Sequence, residues 1–372
     1  MASLEIIIKK LIEKNGPISV EHYMDLALSH PEFGYYKTID PIGTSGDFIT
    51  APEISQMFGE IIGIWVTLMH KQLSDNAQIK LIELGPGHGV LINDILRSIS
   101  KIDKSPEKFE THLVEINPKL KRVQQYTLKD REVIWHNSIN SIPPGPSIII
   151  ANEFFDALPV NQLVYDTGCW HERQISVTND INQKLIFSSG PEAKEEQLPS
   201  EIIKERTEEG SIFEFSPARE KMVKILAKKI SVEGGVILII DYGHTQTAIG
   251  ETLQAVKNHK FHPVLVDPGT ADLTAHLDFQ ALQRAISNIG VLHWGPIMQS
   301  QFLRRLGIET RASYLRNNSN TQSGLEIQRA LDRLIDPEQM GSMFKAIAIT
   351  DDSSPMPPGF ENCSYNKFIN TY

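Results

Sequence analysis

Cysteine is scarce: Cys169 and Cys363 are the only two in 372 residues, and they form neither a CxxC pair nor a zinc spacing. A disulfide-stapled secreted fold is therefore excluded, and a reduced compartment is the simple reading. The 12 histidines make no cluster of metal-ligand type, so no metal is expected. Positive charge is also short. Lys and Arg number 36 against 46 Asp and Glu, a net charge of -10, the opposite of a nonspecific nucleic-acid footprint. Long apolar runs are missing as well. The N-terminal MASLEIIIKKLIEKNG has three isoleucines before lysine returns, too few for a membrane span or a secretory core. It holds no arginine, and Glu5 and Glu13 interrupt it, unlike a mitochondrial presequence. The expectation is a cytoplasmic protein with no membrane insertion.

What is present reads as an ordinary large enzyme. Hydrophobic residues make up 41% and charged residues 22%, near the globular average, which argues against extensive disorder. Short β-branched runs recur at 78–84, 111–116, 132–136, 147–151 and 236–240, with a last one at 344–350. Such runs suit strands buried on both faces of a parallel sheet. Helical stretches at 91–100, 118–126 and 218–230 alternate with them, which predicts a doubly wound α/β core. The predicted division is a helical N-terminal region with a Gly/Pro-rich loop (1–77), a core begun at 78–159 and a β-rich insertion at 160–215. The core then resumes at 216–245, a mainly helical substrate-side region fills 246–340, and a last core strand and tail occupy 341–372.

The most chemical stretch is Leu81-Ile82-Glu83-Leu84-Gly85-Pro86-Gly87-His88-Gly89. An apolar strand ends beside a carboxylate and opens into alternating glycines, which turn the chain sharply and let a ligand approach. A dinucleotide fingerprint wants its third glycine or alanine three positions after the second, where this chain has Val90. Glu83 would repel a pyrophosphate but accepts hydrogen bonds from an ammonium group. Glu83, Gly85, Gly87 and Gly89 therefore suit S-adenosylmethionine better than a nicotinamide dinucleotide.

Ligands of open α/β sheets sit beyond the carboxyl ends of the strands. Glu115, at the end of the second strand, can take both hydroxyls of an adenosine ribose, or simply be solvated. Asn137 follows the third strand, where an adenine amine needs an acceptor, although Asn is also a common turn former. The fourth strand ends in Asn152-Glu153-Phe154-Phe155-Asp156-Ala157-Leu158-Pro159. Glu153 and Asp156 can grip one guanidinium, whose planar fork matches carboxylates; the plainer reading makes Asp156 a cap and the Phe pair core. Thr50 can cap a helix with Pro52 in its first turn, and the loop holding Gly46 and Thr50 can also fold over a cofactor as a lid. Asp241-Tyr242-Gly243-His244 ends the fifth strand on the same edge. His276 and Asp278 can form a base with its orienting partner, or Thr274 can cap a helix there.

Taken together, these blocks resemble the MidA family of S-adenosylmethionine-dependent methyltransferases. The resemblance rests on Gly46 through Glu60, Glu83 through Gly89, Asn152 through Pro159, Asp241 through His244 and Asp272 through Phe279. It implies a class I methyltransferase (Rossmann-like) fold, a doubly wound, mostly parallel sheet with a helical N-terminal region and two insertions. It further implies that Glu83, Gly85, Gly87, Gly89 and Glu115 hold the cofactor, with Asn152 facing it, and that the loop to Asp156 faces the substrate. For the mitochondrial branch it implies symmetric dimethylation of a protein arginine during respiratory complex I assembly. The partner expected is thus an arginine-bearing protein, possible complex I subunits included; a homodimer stays open. The alternatives are an assembly chaperone that binds the cofactor or nothing, a small-molecule methyltransferase, and an NAD(P)-dependent oxidoreductase.

Overall fold

The computed structural model describes residues 3–38, 50–74, 77–103, 106–181, 183–204 and 206–361. Gly46, most of the loop around it, and Cys363 lie outside these residues. The chain divides into two compact units. One comprises Met1–Phe48, Asp156–Lys221 and His244–Leu282; the other comprises Ile49–Phe155, Met222–Gly243 and Gln283–Tyr372. No helix among the described residues is long and apolar enough to cross a membrane.

The second unit holds the central sheet. Its strands are β1 (Ile79–Leu84), β2 (Phe109–Val114), β3 (Val133–His136), β4 (Ser147–Asn152), β5 (Gly235–His244), β6 (Val291–Met298) and β7 (Phe344–Asp351). The main path runs β6-β7-β5-β4-β1-β2-β3. β1 pairs in parallel with both β2 and β4, while β7 runs antiparallel to β5 and to β6. Every residue of β4 is buried, as its apolar run requires of a strand covered on both faces. Strand order reverses at β1 and β4, and that topological switch point is where such sheets open to ligands.

The helices covering this sheet follow from the sequence. Helix α1 (Gln56–Ser74) is apolar over most of its length, and α2 (Val90–Ile102) buries Leu91, Ile92, Ile95 and Ile99 on one face. The two lie very close together. A Cβ at Gly59 would stand 2.5 Å from Asp94 Cβ, and one at Gly63 would stand 2.6 Å from Ser98 Cβ. This close contact fixes the helix whose first turn is the glycine loop. Helix α3 (Pro118–Thr127) starts with Asn117 capping the Lys119 amide and Pro118 at its first position.

The first unit has its own core, built from the helices Leu4–Asn15 and Val20–Ser29 with Ile175, Ala255 and Leu273. Its larger sheet joins Asn161–Asp166, Cys169–Val177, Leu185–Glu192 and Ile212–Phe215, with Ile18–Ser19 added to its edge. Residues 246–340 carry their helices in the later part, at Phe279–Ile286, Gln299–Arg305, Ile308–Asn317 and Thr321–Ile335. They begin with an antiparallel sheet of Lys260–His262, Gln254–Lys257 and Asp272–Thr274. Asn258 and His259 both take positive φ, making the two-residue turn that suits a hairpin's twist, so short polar strands pair at the start of the region expected to be mainly helical.

One residue tests the packing of β4 on β5. Gly235 has φ +127, and a Cβ there would fall 2.0 Å from the Ser147 carbonyl oxygen. Gly235→Ala should cost about 3 kcal/mol or more, because neither the backbone nor the parallel partner can yield. A lowered urea midpoint is expected, and an unchanged midpoint would contradict this.

Candidate functional site

Three main-chain bonds carry the parallel ladder just past the strand ends. Gly85 N–H donates to Val114 O (3.1 Å), Glu115 N–H to His136 O (3.0 Å), and Glu153 N–H to Ile240 O (2.9 Å). These bonds bring Gly85, Glu115 and Glu153 to one edge of the sheet, along with Glu83 and Asn152 at or near the last positions of β1 and β4. Gly85, Gly87 and Gly89 take φ of +60, +53 and +79, a left-handed run that L side chains rarely adopt.

Glu83 is 3% exposed, and its Oε2 has no hydrogen-bond partner among the described residues. Burial pushes its carboxyl up to about 8, while the Ile92 amide pulls the other way. A buried acceptor of this kind is costly unless a ligand brings a donor. Asn152 is also buried. Its Nδ2 donates to Glu153 Oε1 at 3.3 Å, which leaves Oδ1 facing no donor among the described residues. Because a carboxylate only accepts, this contact fixes which end of the amide is which.

Glu115 is held at both oxygens. Oε1 accepts from the Asn117 amide at 2.7 Å, and Oε2 accepts from Gln124 Nε2 at 3.2 Å. Burial nevertheless raises its carboxyl above the ordinary range. Asn137 is exposed, and its Oδ1 accepts from Lys121 Nζ at 2.6 Å.

The loop after β4 departs from expectation in two ways. Thr50 stands at the N-cap of the turn Ala51–Ile54, yet its side chain makes no cap bond. Glu153 Oε1 instead accepts the Ala51 N–H at 2.9 Å, the stronger option because a carboxylate on an orphan helix amide is charge-assisted. Glu153 also sits at φ +50, a conformation uncommon for a residue with a Cβ. Phe155 is fully buried core. Its amide donates to Asp241 Oδ2 at 3.0 Å, and Asp241 Oδ1 accepts from Tyr242 N at 2.9 Å, so the buried carboxylate near the end of β5 shapes the loop. Phe154 lies over the glycine turn instead. A Cβ at Gly85 would come within 3.0 Å of its ring. On the other side of the turn, His88 Nδ1 is 3.2 Å from Glu53 Oε1, which ties the 50–54 segment to the glycine loop.

Asp156 and His276 belong to the other unit. There Arg219 is 4% exposed and donates from Nη2 to Asp156 O and Ala275 O, and from Nη1 to His276 O. Burial first, and then the Asp272 and Asp156 carboxylates, hold the Tyr36 phenol well above its ordinary range, and Tyr36 donates to Asp272 Oδ1 at 3.0 Å. Asp278 is a helix cap. Its Oδ1 accepts the Ala281 amide and its Oδ2 the Thr247 hydroxyl, whereas Thr274 lies within a strand and does not cap that helix.

Sequence reasoning missed Gln124, Arg219 and the capping role of Glu153. Gln124 had one signal: it falls four residues after Leu120 in a helix that buries little else.

S-adenosylmethionine fits this edge. Its ammonium and ribose hydroxyls are donors, and Glu83 offers a buried acceptor without a partner. A doubly wound sheet with this strand order and these acceptors is that of a Rossmann-like methyltransferase. A family model described as "Putative S-adenosyl-L-methionine-dependent methyltransferase" matches residues 61–297, more than half of the chain, and the chain belongs to that family. Its cofactor is S-adenosylmethionine.

The chain is 36% identical over 371 residues to the Danio rerio "Protein arginine methyltransferase NDUFAF7, mitochondrial", covering 92% of this chain and 86% of that one. It is 35% identical to the Drosophila melanogaster homolog, covering 93% and 84%. To the Homo sapiens protein it is 34% identical, covering 91% and 81%. Among solved structures, a Burkholderia thailandensis protein bound to S-adenosyl-homocysteine superposes with a TM-score of 0.85 at 24% identity, covering 97% of this chain and 95% of that one. The mitochondrial names of the relatives overturn the cytoplasmic placement. That placement rested on the scarcity of cysteine and on the character of sixteen N-terminal residues, and neither distinguishes a reduced cytoplasm from another reduced compartment.

The raised Glu83 value gives a signed prediction. Its folded value lies above its unfolded one, so its contribution to cofactor-free stability falls as pH rises from about 4.5 to about 8 and then levels off. Glu83→Gln removes that slope, at up to about 1.4 kcal/mol per pH unit, and weakens S-adenosylhomocysteine binding about ten-fold or more. Urea unfolding at several pH values and calorimetry check both; an unchanged slope and affinity would contradict the assignment.

Proposed function

We propose that this enzyme methylates an arginine of a partner protein, forming symmetric dimethylarginine, and that the acceptor is a respiratory complex I subunit. The observation that carries this reading is the pair of acceptors at the end of β4, the buried Asn152 Oδ1 and the half-buried Glu153 carboxylate beside it. A guanidinium has five donors and no acceptor, so an acceptor-only pocket suits it. The names of the relatives, protein arginine methyltransferases, point the same way.

When bound, the cofactor supplies a methyl group on a sulfonium sulfur. The tasks of the chain are to position, to localise charge and to exclude water. Alignment of two reacting centres alone is worth roughly 7–11 kcal/mol. A charged guanidinium is a poor nucleophile. Glu153 draws its positive charge toward one nitrogen and accepts the proton that the methylated nitrogen sheds. Asn152 Oδ1 receives a second N–H and fixes the plane of the fork. Phe154, lying on the glycine turn, limits the water that reaches the acceptor.

In this reading Glu153 has two calls on its carboxylate, the Ala51 amide and the substrate. The left-handed backbone at Glu153 keeps the side chain at the strand mouth, so both uses draw on one position. Asp156 and His276 serve by shaping the segment after the loop, through the Arg219 bonds to their carbonyls.

The test is transfer of labelled methyl to proteins of an extract that lacks the enzyme, followed by acid hydrolysis of the labelled band. Label in symmetric dimethylarginine is expected, falling about 100-fold or more with Glu153→Gln while S-adenosylhomocysteine affinity holds. Label on another amino acid, or an undiminished rate in Glu153→Gln, would overturn the reading.

A further inference from the structure

Gln124 is fully buried on α3, in a helix whose other residues are mostly exposed or only partly covered. Its amide makes three bonds to three separate segments. Nε2 donates to Gly87 O at 2.8 Å and to Glu115 Oε2 at 3.2 Å, and Oε1 accepts from Trp135 Nε1 at 2.9 Å. The assignment of N and O is unambiguous, because an indole N–H only donates while a carbonyl and a carboxylate only accept. Both donors and one acceptor position are thus used, on the glycine loop after β1, on the acid after β2, and on β3.

The cost of this arrangement shows that it does more than fill space. A glutamine loses much rotamer freedom when buried, and the site would be filled more cheaply by leucine or methionine. A hydrocarbon there would leave the Gly87 carbonyl and the Trp135 indole without their partner. The Gly87 carbonyl belongs to the left-handed turn that must leave room for the cofactor. Glu115 is the acid read as the ribose acceptor. The two stand on neighbouring strand ends, and Gln124 is the group that touches both.

We infer that Gln124 is a positioning residue that locks the glycine loop to Glu115, setting the separation between the two ends of the cofactor site. This inference rests on the assignment of Glu115 to the ribose. With both Nε2 hydrogens committed, the Glu115 carboxylate is held in one rotamer before cofactor arrives, and the turn at Gly87 is held with it. Binding then meets a preformed site instead of ordering two loops.

A glutamate in this place gives the discriminating readout. Gln124→Glu puts a second carboxylate beside Glu115 and opposite the Gly87 carbonyl. As an anion it repels both; once protonated it donates again to one of them. S-adenosylhomocysteine affinity of Gln124→Glu should fall about ten-fold or more at about pH 8.5 and recover most of that loss at about pH 6. The wild type should show no comparable recovery, and Gln124→Met should be weakened at both pH values alike. Because the Gln124→Glu effect reverses with pH on one sample, it is independent of any general loss of folded protein, which thermal unfolding of the free variants monitors.

Calorimetric titration with S-adenosylhomocysteine of wild type, Gln124→Glu, Gln124→Met and Glu115→Ala makes the measurement. Affinities of both Gln124 variants near that of wild type at both pH values, with Glu115→Ala weakened, would overturn the inference and leave the ribose assignment standing. Wild-type affinity in Glu115→Ala would remove the assignment and the inference together. Loss in Gln124→Glu that ignores pH would also overturn it, because lost packing rather than a lost donor would be the cause.

Discussion

Parallel pairing of β1 with β2 on one side and β4 on the other is the constraint on which the site depends. The registers place Glu83 opposite Leu113 and Ile150, within two residues of the end of each neighbour. Three carboxylates and an amide thereby come to the same edge, each delivered by an apolar strand that could not tolerate them further in. The cost is plain in Glu83, whose carboxyl is driven up to about 8 by burial. A protein that needed only a stable core would put leucine there. The arrangement is offset only when a ligand brings hydrogen-bond donors, and a cofactor with an ammonium group and ribose hydroxyls is such a ligand.

Around that edge a second tier of residues holds the first in place. Asp241 anchors the Phe155 amide, Gln124 ties Gly87 to Glu115, and Glu153 caps the segment that reaches His88 through Glu53. Each of these is a buried or half-buried polar group serving backbone more than solvent. Networks of this type are costly when partly satisfied and specify one geometry when complete. Small shifts in them therefore affect affinity and rate more than they affect whether the chain folds.

Much of this was legible in the sequence because it follows from local chemistry. The glycine turn needs glycine at set places, and β-branched runs announce buried strands, so the core and the positions of Glu83, Glu115 and Glu153 could be read directly. What could not be read depends on contacts between segments far apart in the chain. Thr50 has the right side chain for a cap, but the amide at Ala51 goes to Glu153, over 100 residues away, because a carboxylate is the better acceptor. The pairing of Gln254–Lys257 with Lys260–His262 went unread inside a region expected to be mainly helical, because the strands are short and polar, although Asn258-His259 is a usable hairpin signal. Beyond its spacing from Leu120, nothing local marks Gln124, because its three partners lie on the glycine loop, the acid after β2 and β3.

The most direct test is a crystal structure of the enzyme with S-adenosylhomocysteine. The account predicts the amino-acid end of the ligand against the glycine turn with its ammonium on Glu83, the ribose hydroxyls on Glu115, and the sulfur directed toward Asn152 and Glu153. A ligand bound elsewhere, or one bound at this edge that leaves Glu83 Oε2 without a donor, would contradict it.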